Sequence, residues 1–225
     1  MKKDDLHECY ICGGKHESDD HCPPKCFFPK GYRSNLMTVP SCMVHNEQQS
    51  EDDEYTREVV LSFFENNQIA YSLFDQKVKP VFERSEKAKK RFLKNTKTVY
   101  YRQGIKFVKT IAPQIERDVF DRTMRKIGYG IYFYKFKHRW MRNLIVATPC
   151  LYDANMRYDE QGTLVAMSRE IEKHFNITYE GSNPNIFKYV FFDTETSDTI
   201  LKMVFYNGFE VYLIPCIGST SPSLD

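Results

Sequence analysis

The chain has 225 residues, of which 41% are hydrophobic and 28% charged, and its formal net charge is +2. This length allows one domain, or one domain with a small added module, and the composition excludes collagen, low-complexity disorder and a coiled coil. No apolar run approaches the ~18 residues that cross a bilayer. Residues 1–8 are charged and lack the apolar stretch of a secretory signal, so the expected setting is the reducing cytoplasm, without a membrane.

The small net charge hides strong polarity. Residues 1–78 carry −6, 79–109 carry +9, 110–142 carry +5 and 143–225 carry −6. A basic middle interleaved with Tyr and Phe suits a phosphate-facing surface, although a solvated helix face has the same composition.

In chain order, residues 9–50 read as a Cys- and Pro-rich irregular module. Residues 52–66 predict a helix, with Tyr55, Val59, Val60, Phe63 and Phe64 at helical spacing. A second, Lys-rich helix is predicted over 81–94. Residues 98–109 predict two strands around Gln103 and Gly104. The clearest helix is 114–136, where Ile115, Val119, Phe120, Thr123, Ile127 and Ile131 make one apolar stripe that Gly128 and Gly130 weaken at its end. A strand is predicted at 144–147, a helix at 161–175, and strands at 186–192, 200–206 and 209–214. Asn207-Gly208 is the predicted turn of the last hairpin, because both residues tolerate positive φ. The aromatic residues of this part, Trp140, Phe187, Tyr189, Phe191, Phe192, Phe205 and Tyr206, read as core, since strand alternation buries one face.

Chemistry concentrates at the start. Five of the seven Cys stand at positions 9, 12, 22, 26 and 42. Cys9-x-x-Cys12-Gly13-Gly14 sets two thiolates on a tight turn, and Cys42-x-x-His45 is a second chelating pair. Together they give a closed tetrahedral zinc site of three thiolates and one imidazole. Cys22-x-x-x-Cys26 competes as the second pair, and His21 competes as a ligand. Zinc so bound would fold a segment too polar to make its own core.

Around these pairs stand Asp20-His21, Asn35-Leu36 and Asn46 directly after His45, with Pro23-Pro24-Lys25, Val39-Pro40-Ser41 and an acidic stretch over 50–57. In this order the residues of 9–57 resemble the HNH endonuclease family, the ββα-metal nucleases, in a bacterial subgroup with zinc-binding pairs. His45 stands where the family more often has Cys, and Asn46 where it more often has His. The resemblance implies phosphodiester hydrolysis with His21 as general base, Asp20 and Asn46 holding a catalytic Mg2+ or Mn2+, and Asn35 orienting His21. It also implies that Cys9, Cys12, Cys42 and His45 hold a structural Zn2+. A neutral imidazole suits the proton transfer because it titrates near neutrality.

The expected fold class is α+β. A treble-clef-like ββα-metal module over 1–60 is followed by a mixed helical and antiparallel-β accessory region over 61–225. The expected partner is nucleic acid, DNA before RNA. Lys25, Lys30, Arg33 and Arg57 are candidate phosphate contacts near the site, and Lys87, Lys90 and Arg91 are candidates farther away. Arg122, Arg125 and Lys126 extend that basic run. The alternative is a non-catalytic zinc module that binds nucleic acid or a protein, with the C-terminal region docking a protein partner or a second copy.

Overall fold

The computed structural model describes residues 8–94, 96–103, 106–112, 114–149, 151, 176–192, 198–216 and 218, and part of 163–174. Two short antiparallel strands come first, β1 (Ser18–His21) and β2 (Thr38–Ser41), with Asp19 opposite Pro40 and His21 opposite Thr38. Pro40 has no N–H to give, and its carbonyl turns away to accept from Tyr10 N at 2.9 Å. Helix α1 (Ser50–Leu61) follows, with Glu51, Asp52 and Asp53 in its first turn, where acidic side chains complement the helix dipole. The opening order is therefore β, β, α.

Helix α2 (Gln68–Leu73) is capped by Asn67, whose side chain accepts from Ile69 N and Ala70 N. A wide turn (Phe74–Val78) leads into α3 (Lys79–Arg84). The single helix predicted over 81–94 is two. Ser85 takes an extended conformation, ends α3, and caps α4 (Glu86–Phe92) by accepting from Ala88 N at 3.2 Å. Strands β3 (Lys97–Gln103) and β4 (Lys106–Ala112) form a ribbon that, among the described residues, pairs only with itself.

Helix α5 (Arg117–Phe136) runs unbroken through Gly128 and Gly130. Both glycines are packing devices. A methyl on Gly128 would lie 2.0 Å from Leu213 Cδ1, and one on Gly130 would lie 2.0 Å from Cys22 Sγ. The helix thus lets the sheet and the N-terminal module approach its backbone from nearly opposite sides. The sheet is antiparallel, in the order β5-β9-β8-β7-β6, from β5 (Leu144–Ala147), β6 (Glu180–Asn183), β7 (Phe187–Phe192), β8 (Ile200–Phe205) and β9 (Phe209–Pro215). In the last hairpin the positive-φ residues are Tyr206 and Asn207, one position earlier than predicted. Gly208 is needed for a different reason: a methyl there would lie 2.5 Å from Glu65 O.

The fold is thus α+β. One continuous core joins Cys9, Tyr10, Cys22 and Phe27 of the N-terminal segment to Val60, Phe120, Ile127, Phe205 and Leu213. The division expected at residue 60 falls inside α1, whose buried side chains serve both parts. Of the aromatics expected in the core, Trp140, Phe187, Tyr189, Phe192, Phe205 and Tyr206 are buried, and Phe191 is only partly buried. Of the helix predicted over 161–175, the described residues, 163, 166, 167, 169, 170 and 172–174, are helical, and the rest lies outside the described residues. No helix among the described residues is long and apolar enough to cross a membrane.

Candidate metal centre

The turn after Cys9 is closed by Gly13 N donating to Cys9 O at 2.9 Å and Cys9 N donating to Gly14 O at 2.7 Å. Gly13 has φ +72, which a side chain would strain. Thirty residues on, His45 N and Asn46 N both donate to Cys42 O at 3.2 Å, curling the chain back after β2. The hairpin pairing brings these two turns together.

The ligand atoms of Cys9, Cys12, Cys42 and His45 all lie within 4.8 Å of one another. Cys12 Sγ is 4.0 Å from Cys42 Sγ, Cys42 Sγ is 3.2 Å from His45 Nδ1, and Cys9 Sγ is 3.5 Å from His45 Nδ1. A tetrahedron with Zn–S of ~2.3 Å and Zn–N of ~2.0 Å has edges of ~3.8 Å between sulfurs and ~3.5 Å from sulfur to nitrogen. The four residues fit a zinc ion in both donor chemistry and spacing. Burial works against charge on Cys9, but the hydrogen bond to His45 and those from backbone N–H groups outweigh it and bring the thiol down to about 6. Burial and the neighbouring Cys9 sulfur push the Cys12 thiol up to about 11. The rival ligands lie elsewhere. Cys22 is buried against Gly130, and Cys26 Sγ donates to Asp53 O at 3.8 Å.

His21 stands outside this quartet, at the end of β1. Its ring is half-buried and makes no hydrogen bond among the described residues. Burial first, and then the Lys25 ammonium, lowers its pKa below the ordinary imidazole value, so the ring is neutral at neutral pH. Asn46 lies along the same strand, its amide nitrogen donating to Ser18 Oγ at 2.9 Å and to Asp19 O at 3.3 Å. That leaves its Oδ1 without a hydrogen bond among the described residues. Asn35 is exposed in the loop at φ +57, and its carbonyl accepts from Ser182 Oγ at 3.1 Å. No hydrogen bond joins it to His21.

Asp20 is not where a catalytic cation needs it. Successive side chains of a strand face opposite ways, and Asp20 is 4% exposed on the inner face of β1. Its Oδ2 accepts from Tyr10 Oη at 2.9 Å and lies 3.7 Å from Lys126 Nζ. Lys126 is fully buried and donates to Asp53 Oδ2 at 2.8 Å. Burial disfavours charge on Lys126, but Asp20 and Asp53 outweigh it and raise its pKa. Asp53 shares that one ammonium with Asp20, and burial pushes its carboxyl up to about 6. Asp20 and Asn46 as arranged do not fit a divalent cation.

The network of Tyr10, Asp20, Asp53 and Lys126 was missed by the sequence reading, which put Lys126 on a basic surface. Its signal was present. Asp53 shares a helix face with Thr56 and Val60, and Lys126 one with Thr123 and Gly130, so each charge stands on an inward stripe. The rest of that basic run is also engaged, Arg122 with Asp52 at 3.1 Å and Arg125 with Leu144 O at 2.9 Å. Arg57 is 7% exposed beside Glu54 and Glu58, which removes it from any phosphate surface. Arg33 donates to Phe28 O at 2.8 Å. Lys25, Lys30, Lys87 and Lys90 are exposed. Arg91 pairs with both Glu116 oxygens at 2.8 Å and stacks on Tyr55.

No protein-family model, curated protein or solved structure matches this chain.

Proposed function

We propose that this chain is a zinc-stabilised HNH-type endonuclease that hydrolyses phosphodiester bonds in DNA, with His21 as general base. One observation carries the reading. The zinc-fitting quartet takes His45, leaving the His21 imidazole unligated, neutral and half-exposed on a β-β-α unit. A neutral ring there takes a proton from a water as that water attacks phosphorus, while the 3′-oxygen leaves. The Lys25 charge beside the ring favours an approaching phosphate. The resemblance also calls for Mg2+ or Mn2+. Asn46 Oδ1 offers it one ligand, and Asp20 offers none while it is held by Tyr10 and Lys126.

That position of Asp20 favours a second reading, a non-catalytic zinc module that binds nucleic acid. The experiment separates the two. Purified zinc-loaded chain is incubated with supercoiled plasmid and Mg2+ or Mn2+, beside His21→Ala. The first reading expects nicking or linearisation by wild type and none by the variant, with zinc content and circular dichroism unchanged. DNA binding without cutting, equal in both proteins, establishes the second.

A further inference from the structure

Residues 79–109, from α3 into β4, hold the strongest charge in the chain, +9. Beyond α3 the fold divides this charge between a short helix and a ribbon. α4 exposes Lys87, Lys89 and Lys90, with Lys94 just beyond it, and the ribbon exposes Lys97 on β3 and Lys109 on β4. None of these six ammonium groups has a carboxylate within salt-bridge distance among the described residues. Elsewhere the protein pairs its cations readily, as in Lys79 with Asp75, Arg117 with Asp121 and Arg142 with Asp198, each at 2.8 Å. Six unpaired like charges on adjoining elements repel one another, so the arrangement costs stability unless a polyanion neutralises it.

The ribbon itself points the same way. Among the described residues its strands pair only with each other, and an isolated two-stranded ribbon is marginal in water. Tyr100, 65% exposed, stands directly opposite Lys109 and so presents an aromatic and a cation on one face. Two strands ~4.8 Å apart fit a major groove ~12 Å wide, whereas single strands are gripped by rows of stacking aromatics. The arm is anchored, because Arg91 clamps α4 to Glu116 and lies 4.6 Å over the Tyr55 ring of α1.

We infer that α4 and the β3–β4 ribbon form a duplex-DNA-binding arm, with the helix lysines on the phosphate backbone and the ribbon laid into the major groove. The choice of DNA rests on the nucleic-acid reading above. The arm itself does not depend on His21.

The test is binding, with no cutting read. Zinc-loaded full-length chain without Mg2+ or Mn2+ is titrated against a labelled DNA duplex, the matching single strand and an RNA duplex, over about 50–200 mM salt. The arm predicts tightest binding to duplex DNA. It also predicts that Lys87→Gln/Lys90→Gln/Lys97→Gln/Lys109→Gln raises Kd about 10²–10³-fold and makes the salt slope shallower by about 3–4. Tyr100→Ser weakens binding without changing the slope. Zinc content and circular dichroism stay at wild-type levels, since these side chains are exposed. The inference is overturned if the quadruple variant binds with the wild-type slope, if either other nucleic acid binds more tightly than duplex DNA, or if wild type shows no salt-sensitive binding. Failure here leaves the hydrolysis reading on His21 to its own plasmid assay.

Discussion

Lys126 Nζ lies 2.8 Å from Asp53 Oδ2, a contact between α5 and α1 with no exposure of the lysine side chain. Asp20 of β1 shares the same ammonium, so one buried cation holds the β1–β2 hairpin, the helix after it and α5 together. Breaking a buried pair by removing one partner costs about 3–5 kcal/mol, because the remaining charge is left uncompensated. Lys126→Met should therefore lower the thermal midpoint by about 6–20 °C at this chain length. Adding Asp20→Asn and Asp53→Asn should recover most of the loss, which calorimetry on the single and triple variants reads directly.

The same network sets a pH dependence. The Asp53 carboxyl is raised by burial to about 6 in the fold, from 3.8. A raised carboxyl binds its proton more tightly in the folded chain. The stability it contributes is complete below the unfolded value and is lost as pH rises through the folded one. Unfolding free energy should thus decline from Asp53 between about pH 4 and about pH 6. Urea titrations across that window should show the decline in wild type and not in Asp53→Asn.

For the metal centre, elemental analysis should find one zinc per chain, lost in Cys12→Ser and Cys42→Ala. It should be retained in His45→Cys, since thiolate replaces imidazole as a ligand, and in Cys22→Ser and His21→Ala. Retention in Cys42→Ala with loss in Cys22→Ser would move the site to the competing pair.

If His21 is the general base, the rate rises as its imidazole loses a proton. Burial and Lys25 lower that pKa below 6.5, so the acid limb of kcat/KM should have its midpoint below 6.5. Lys25→Gln should move the limb upward by removing the cation that opposes ring protonation. A limb unmoved by Lys25→Gln counts against His21 as the titrating group.

Gly130→Ala sets two effects against each other. Alanine favours a helix interior by about 1 kcal/mol over glycine. The new methyl would stand 2.0 Å from Cys22 Sγ and 2.9 Å from its Cβ, and overpacking a dense core costs about 1–3 kcal/mol or more. The net should be destabilising in chemical denaturation. Gly130→Ala/Cys22→Ala should be less so, because the sulfur is gone.

Local rules suffice for what sits within a few residues. Chelate spacing of Cys9 with Cys12 and of Cys42 with His45 made the zinc pairs legible, because two ligands on one turn are a local matter. The apolar stripe of α5 and the alternation of the last strands were legible for the same reason, as was the hairpin at residues 206–208 to within one position. Tertiary structure alone decided the rest. Which second pair completes the quartet depends on the hairpin closing. Asp20 and His21 are adjacent in sequence yet part ways, because a strand sends neighbouring side chains to opposite faces and only packing decides which face meets α5. Lys126 looks like a solvent cation in a one-dimensional reading. It is interior because charge repays its desolvation only where a distant segment brings a carboxylate within reach, as Asp20 and Asp53 do, and sequence proximity carries no record of that meeting.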